Sequence, residues 1–108
     1  MLWSDRIFLG RGVRRNYRRI KWKIMHNIAQ QGVFLLVLPM DRAGNPEIIP
    51  SPFLLQKNYP KEELCVIGLA ESRPASFALL EQITAQMYEK TKTIDYYSFF
   101  ELERPNKN

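Results

Sequence analysis

Two short apolar runs place the strongest limit on how this chain can fold. Val33 to Leu38 reads VFLLVL and Leu64 to Leu69 reads LCVIGL, and Gly, Pro or charged residues bound each run. Their length fits strands, and an uninterrupted apolar sequence means that both faces of each strand are buried. Helices must then cover both sides of one sheet, an arrangement typical of parallel strands. The pattern therefore predicts a largely parallel central sheet between helical layers.

Two longer segments have the periodicity of helices, in which apolar residues recur every three or four positions. The first begins near Val13 and is expected to end at Gly32; its apolar stripe comprises Val13, Tyr17, Ile20, Ile24 and Ile28. The second extends from about Pro74 to Lys92, and its stripe comprises Phe77, Leu80, Ile83, Met87 and Tyr88. The sequence thus predicts two long helices.

Shorter elements complete the predicted order. They are a first strand over Arg6 to Leu9, a short returning strand over Glu47 to Ile49 after the turn-rich stretch Asp41 to Pro46, and a short helix over Pro52 to Lys57. The fold prediction is an α/β sandwich in which residues 1–102 form one domain and residues 103–108 form a frayed tail. A ferredoxin-like α+β arrangement, with Tyr96 to Leu102 as a last strand, is the alternative.

Composition limits the class of protein. The chain has 108 residues, of which 45% are hydrophobic and 25% charged, as in a single globular domain. Cys65 is the only cysteine, so no disulfide can form within the chain and a reducing, cytoplasmic compartment is expected. The longest apolar run is far shorter than the ~20 residues of a membrane-spanning helix, and Asp5 and Arg6 stand where a signal peptide would be apolar.

Positive charge is concentrated in the first third of the chain. Residues 1–40 contain eight Lys and Arg against Asp5 alone, whereas residues 41–108 contain eight against ten acids. The resulting +7 and −2 give the net charge of +5. Because the excess is local, it describes a surface and indicates an acidic partner.

The first predicted helix carries most of this charge on one side. At about 100° per residue, the side opposite the apolar stripe carries Arg11, Arg15, Arg18, Arg19 and His26, with Trp22 among them. The candidate phosphate-binding residues are Arg11, Arg14, Arg15, Arg18 and Arg19, with Trp22 as a stacking residue. In the alternative, the arginines are a solvated face and the C-terminal aromatics cover Trp22. A membrane surface or an acidic protein could also attract this side.

The predicted strand ends supply a second candidate site. In open α/β sheets, ligands bind where strands end and helices begin, so Asp41, Glu71, Ser72 and Arg73 could together rim a pocket. Ser72 is also a suitable N-cap for the second helix, and it lacks the GxSxG context of a nucleophile. Gly10-Arg11-Gly12 follows a strand and could meet a phosphate, but without a third glycine it is more typical of a structural turn.

The sequence predicts no catalytic residue, no metal site and no cofactor. Cys65 lies within an apolar strand, where cysteine is usually inert, and His26 is the only histidine. The aromatic residues Tyr96, Tyr97, Phe99 and Phe100 either seal the domain's own core or form a contact between copies. We expect core sealing.

At GVFLLVLPMD, FLLQKNYP and CVIGLAES the chain resembles small bacterial proteins of unknown function, over residues from about Ile7 to Tyr88. The resemblance implies a bacterial cytoplasmic protein and contains no catalytic motif. The residues themselves favour a non-enzymatic binding protein whose basic helix engages an acidic partner, most plausibly nucleic acid. The alternatives are a small enzyme or ligand-binding domain with a pocket at the strand ends, and an interaction subunit or homo-oligomer that uses the C-terminal aromatics.

Overall fold

A computed structural model of the protein describes residues 1–105, and a four-stranded mixed sheet lies at its centre. The strands are β1 (Leu2–Leu9), β2 (Phe34–Pro39), β3 (Glu47–Pro50) and β4 (Leu64–Ala70), in the spatial order β1-β4-β2-β3. The helices are α1 (Arg11–Arg14), α2 (Tyr17–Met25), α3 (Arg73–Thr91) and α4 (Tyr96–Phe99). Two 3₁₀ turns, Ser51–Leu55 and Lys61–Glu63, lie between β3 and β4.

Only one of the three strand pairings is parallel. β1 pairs with β4 in parallel, whereas β2 is antiparallel to both β3 and β4, with Phe34 opposite Ala70 and Pro39 opposite Leu64. The predicted largely parallel sheet is therefore wrong, and the domain is better described as mixed α and β. A strand that is buried on both faces is apolar whether its neighbours are parallel or antiparallel to it. The apolar runs therefore do not reveal the direction of pairing.

Helices nevertheless cover both faces of the sheet. On one face, Val13, Ile20 and Ile24 of α1 and α2 pack against Leu35, Val37, Val66 and other residues of β2 and β4. On the opposite face, α3 and α4 pack against Leu36, Leu38 and Ile67. All seven residues of β4 are buried, because this strand is central and has a core on each side. The predicted burial of both apolar runs is confirmed.

The first predicted long helix is broken into two short ones. Asn16 interrupts it with φ −109° and ψ 19°. It ends at Met25 in a Schellman motif: Asn27 adopts the left-handed φ of 57°, and the N–H of Ile28 donates to the Lys23 carbonyl at 2.9 Å. Ile28 is exposed as a result. Only α3, with 19 residues, is long, so the prediction of two long helices is wrong.

The C-terminal aromatic segment packs against the α3 face. Tyr97, Phe99 and Phe100 are buried there, and the segment forms α4 rather than the last strand of the ferredoxin-like alternative. The Tyr97 hydroxyl donates to the Pro39 carbonyl at 2.7 Å and accepts the Gly44 N–H at 3.2 Å, which anchors the β2–β3 loop. Part of the predicted tail, residues 106–108, lies outside the described residues.

β1 forms one edge of the sheet and is irregular. Its register against β4 shifts between Trp3 and Phe8. The Arg6 guanidinium, within this shifted stretch, donates to the Phe99 carbonyl at 3.1 Å. This hydrogen bond joins the C-terminal aromatic segment to the edge strand.

Candidate nucleic-acid interface

The five predicted phosphate-binding arginines are all exposed along the segment that contains α1 and α2. We call this surface the basic face; it comprises Arg11, Arg14, Arg15, Arg18 and Arg19, together with Trp22 and His26. All seven residues are exposed. The apolar side of the same helices is buried against the sheet, which forces the arginines outward. The exposure of Arg11, Arg15, Arg18, Arg19 and His26 agrees with the helical projection despite the break at Asn16.

The arginines of the basic face have no acidic partner. Within residues 1–105 the ion pairs join Arg6 to Glu101, Arg42 to Asp41 and Glu47, and Arg104 to Asp95, all away from α1 and α2. Arg14 uses its Nε to donate to the Leu9 carbonyl at 3.3 Å. No acidic side chain in the described part of the chain therefore neutralises the charge of this surface by an ion pair, and an anionic partner could do so.

Trp22 and His26 form a stacked aromatic pair at the end of the basic face. The centres of their rings are 4.0 Å apart and the ring planes differ by 21°. The Nδ1 of His26 is 2.8 Å from the Trp22 carbonyl, and because a carbonyl only accepts, Nδ1 is the donor. This bond fixes the imidazole against the indole. The pairing was missed from the sequence, although the i, i+4 spacing of the two residues is a signal that could have revealed it.

The indole of Trp22 is open to solvent, with 53% of the residue's surface exposed. The C-terminal aromatics were expected to cover it in the alternative interpretation. They pack on the opposite face of the sheet, so they cannot reach it. By contrast Trp3, the other tryptophan, is partly buried in the core on the α1–α2 side, and the Lys21 ammonium lies 4.9 Å from the centre of its ring. Trp22 is therefore the aromatic that the basic face presents.

The four residues predicted to rim a pocket are not brought together. Glu71, Ser72 and Arg73 follow β4, but Asp41 lies at the other end of the sheet, where Met40 donates to the Glu63 carbonyl. The separation follows from the antiparallel pairing of β2 with β4, because the carboxyl ends of antiparallel strands lie at opposite ends of the sheet. Asp41 instead pairs with Arg42 at 2.9 Å. The predicted common rim is not formed.

Ser72 and Arg73 have structural contacts at the start of α3. The Ser72 hydroxyl accepts the Ala75 N–H at 3.1 Å, as an N-cap does. The Arg73 guanidinium lies 5.4 Å from the centre of the Phe34 ring. The Ser72 contact caps α3, and the Arg73 contact joins the start of this helix to β2.

Glu71 packs directly against Gly10 and Gly12, and its fixed Cβ leaves no room for a side chain at Gly12. A Cβ at Gly10 would lie 2.6 Å from the Glu71 Oε1, and one at Gly12 would lie 2.7 Å from the Glu71 Cβ and Cγ. Real side chains do not approach so closely. The Gly10-Arg11-Gly12 turn thus leaves room for a glutamate that is distant in sequence. The sequence had suggested a turn but did not connect it with Glu71.

The remaining reactive groups are isolated. Cys65 is fully buried, and burial raises the pKa of its thiol to about 11, so little thiolate exists at neutral pH. No group of three or more His, Cys, Asp or Glu side chains within residues 1–105 is arranged to hold a metal ion. In the same part of the chain, no helix combines the length and apolar character needed to cross a membrane.

Comparison with known proteins gives no family for this chain. No protein-family model, no curated protein and no solved structure matches it. The resemblance to small bacterial proteins therefore stays a prediction, and the function has to be inferred from the chain's own side chains.

Proposed function

We propose that this protein binds single-stranded nucleic acid through the basic face. The observation that supports this most strongly is the exposed Trp22 ring, which stacks on His26 near five arginines that have no acidic partner among residues 1–105. Guanidinium groups pair bidentately with phosphates, and a flat aromatic surface accepts the face of any base. In this proposal Arg11, Arg14, Arg15, Arg18 and Arg19 contact the backbone, and Trp22 stacks on an unpaired base.

The stacking residue favours single strands over duplexes. In a duplex the faces of the bases are covered by neighbouring pairs, whereas an unpaired base is free to stack on a side chain. Each stacked base contributes about 1 to 3 kcal/mol without regard to sequence. We accordingly expect binding with little sequence preference.

The geometry favours nucleic acid over a membrane surface. An amphipathic helix binds a bilayer by inserting its apolar side. Here that side is committed to the core, because Ile20 and Ile24 pack against the sheet. The exposed aromatic lies instead among the arginines, where phosphates and bases would be contacted together.

The salt dependence of binding tests the proposal. For single strands, log K falls by about 0.7 per phosphate contacted for each unit of log salt, so four contacts give a slope of about −3. Replacing Arg15, Arg18 and Arg19 together by Gln should lower affinity and flatten the slope by about 2. Fluorescence anisotropy of labelled oligonucleotides between ~50 and ~300 mM salt measures both quantities.

A matched control removes the same charge elsewhere. Lys57, Lys90 and Lys92 are exposed and distant in sequence from the basic face, and Asn suits position 92 because its φ is 61°. The variant Lys57→Gln, Lys90→Gln, Lys92→Asn should keep most of the slope of the native protein. An equal loss of affinity and slope in both variants would mean that net charge alone causes the binding. An absence of binding at ~50 mM salt would refute the proposal.

A further inference from the structure

The carboxyl ends of β1 and β4 form a crevice that is separate from Trp22. The two strands are adjacent and parallel, and each leads directly into a helix. The helices go to opposite faces: α1 packs with the core on one side of the sheet, and α3 packs on the other. This is a topological switch point, the place where open sheets form a crevice that can receive a ligand.

The crevice has a volume of about 380 Å³ and a mixed lining. Its polar residues come from both sides: Arg11 and Arg14 from α1, Glu71 from the end of β4, and Gln82 from α3. Ala75 and Ala78 face it from α3, and their small side chains leave it open. Cavities of this size hold small organic molecules in other proteins.

Glu71 has one carboxylate oxygen that lacks any hydrogen-bond donor. Its Oε1 is buried against Gly10, and no donor within residues 1–105 reaches it. Neither Arg11 nor Arg14 forms an ion pair with this carboxylate, although all three residues line the same crevice. The crevice therefore combines a carboxylate that no cation of residues 1–105 pairs with and two guanidinium groups that can bind an anion.

We infer that the crevice binds the phosphate and ribose of a nucleotide. Arg11 and Arg14 hold the phosphate, since their planar guanidinium groups match its oxygens. Glu71, which also lines the crevice, accepts a ribose hydroxyl through the carboxylate oxygen that is not buried against Gly10. The same chemistry is present in a free nucleotide and in the last nucleotide of an RNA strand.

This inference does not depend on the stacking role of Trp22. Arg15, Arg18, Arg19 and Trp22 do not line the crevice, so it can bind a nucleotide even if the basic face binds no strand. Arg11 and Arg14 belong to both surfaces. A nucleic-acid strand bound to the basic face would therefore pass the mouth of the crevice.

Calorimetry with two small ligands tests the inference on the native protein. Adenosine 5′-monophosphate carries both ribose hydroxyls, and its 2′,3′-dideoxy analogue carries neither. We expect the dideoxy analogue to bind at least about tenfold more weakly, because hydrogen bonds to a charged acceptor are lost. Equal affinities for the two ligands, or no binding of either at ~10 mM, would overturn the inference.

Variants identify the residues responsible. Glu71→Gln should lower the affinity for adenosine 5′-monophosphate to nearly that of the dideoxy analogue, while changing the affinity for the analogue little. Arg11→Gln should lower the affinity for both ligands, since both carry the phosphate. Lys90→Gln removes one positive charge outside both the crevice and the basic face, and it is expected to leave both affinities unchanged. A Lys90→Gln effect as large as that of Arg11→Gln would show general charge attraction and overturn the site.

A final comparison distinguishes the two sources of the ligand. Two RNA oligonucleotides of identical sequence end in either the natural 2′,3′-diol or a 2′,3′-dideoxy sugar. Tighter binding of the natural end, abolished by Glu71→Gln, supports recognition of a strand end. Equal binding of the oligonucleotides, with the difference between the small ligands retained, supports a free nucleotide. The Arg15, Arg18, Arg19 triple variant should retain the discrimination between the small ligands even if it no longer binds oligonucleotides.

Discussion

The two faces of the sheet are covered by helices of very different character. On one side α1 and α2 bury a few aliphatic residues and expose a row of arginines with Trp22. On the other side α3 and α4 bury Ile83, Met87 and three aromatic rings. Both the basic helix and the C-terminal aromatics were candidate interaction surfaces in the sequence. Their contrasting burial indicates that the aromatics stabilise the fold, whereas the basic face is free to bind.

Deleting residues 95–108 should break the fold and provides the largest expected effect. Tyr97, Phe99 and Phe100 are buried, and truncating even one buried Phe costs about 3 to 5 kcal/mol of the roughly 5 to 15 available to a domain. We expect the truncated protein to show no cooperative thermal unfolding by circular dichroism at any concentration. A folded, monomeric truncation product from a dimeric parent would mean that the aromatics form an interface instead.

Ile67→Ala should destabilise the domain by about 2 to 5 kcal/mol. Ile67 is fully buried in β4 on the α3 side, where the surrounding helix can collapse only partly into the cavity. Urea unfolding gives the free energy of unfolding for the variant and the native protein. A loss below about 1 kcal/mol would mean that the α3 side is loosely packed and that the contrast between the two faces is overstated.

Trp22→Ala should weaken oligonucleotide binding by about 1 to 3 kcal/mol and change stability by less than about 0.5 kcal/mol. The indole is exposed and stacks on His26 outside the core, so its loss leaves no core cavity. Trp3→Ala is the matched control, because Trp3 packs against the core and its removal should lower stability with little effect on binding. Anisotropy and thermal unfolding of both variants are required. The reverse pattern would assign the stacking role to the wrong tryptophan.

Arg104→Gln should have the smallest effect, a loss of less than about 1 kcal/mol, because its ion pair with Asp95 is partly exposed. Burial raises the pKa of the Asp95 carboxyl, but hydrogen bonds from Arg104 and the Ser98 N–H outweigh burial and hold that pKa below its usual range. A lowered pKa stabilises the fold above the unfolded value and ceases to do so as the pH falls through the folded value. The part of the difference that comes from this ion pair should therefore vanish in acid, whereas the contact of Arg104 with the Tyr97 ring does not depend on Asp95. Urea unfolding at pH ~7 and pH ~2 measures the difference, and an undiminished difference in acid would exclude this ion pair as the cause.

The parts of the fold that the sequence predicted correctly are those that depend on local periodicity. VFLLVL and LCVIGL form buried strands, and the arginines and Trp22 lie on the outer side of α1 and α2, because alternation between core and solvent is recorded in the spacing of apolar residues. The helix break at Asn16 was not predicted, because an apolar stripe shows which side of a helix is buried but not whether the helix is continuous.

Features that depend on strand direction or on distant contacts could not be predicted. Asp41 was placed with Glu71 on the assumption of parallel strands, and the antiparallel pairing of β2 with β4 separates them. Glu71 packs against Gly10 and Gly12 across some sixty positions of the chain, and no spacing within the sequence records that contact. The crevice at the switch point could therefore be recognised only after the strand order was known.

The irregular edge strand has a consequence for association between copies of the chain. A long, regular edge exposes a row of N–H and C=O groups that another chain can extend, which is a common start of aggregation. In β1 the register shift between Trp3 and Phe8 interrupts that row, and the charged Arg6 lies in the interrupted stretch. This edge is therefore a poor template for a foreign strand, and the protein is protected against growing a continuous sheet from β1.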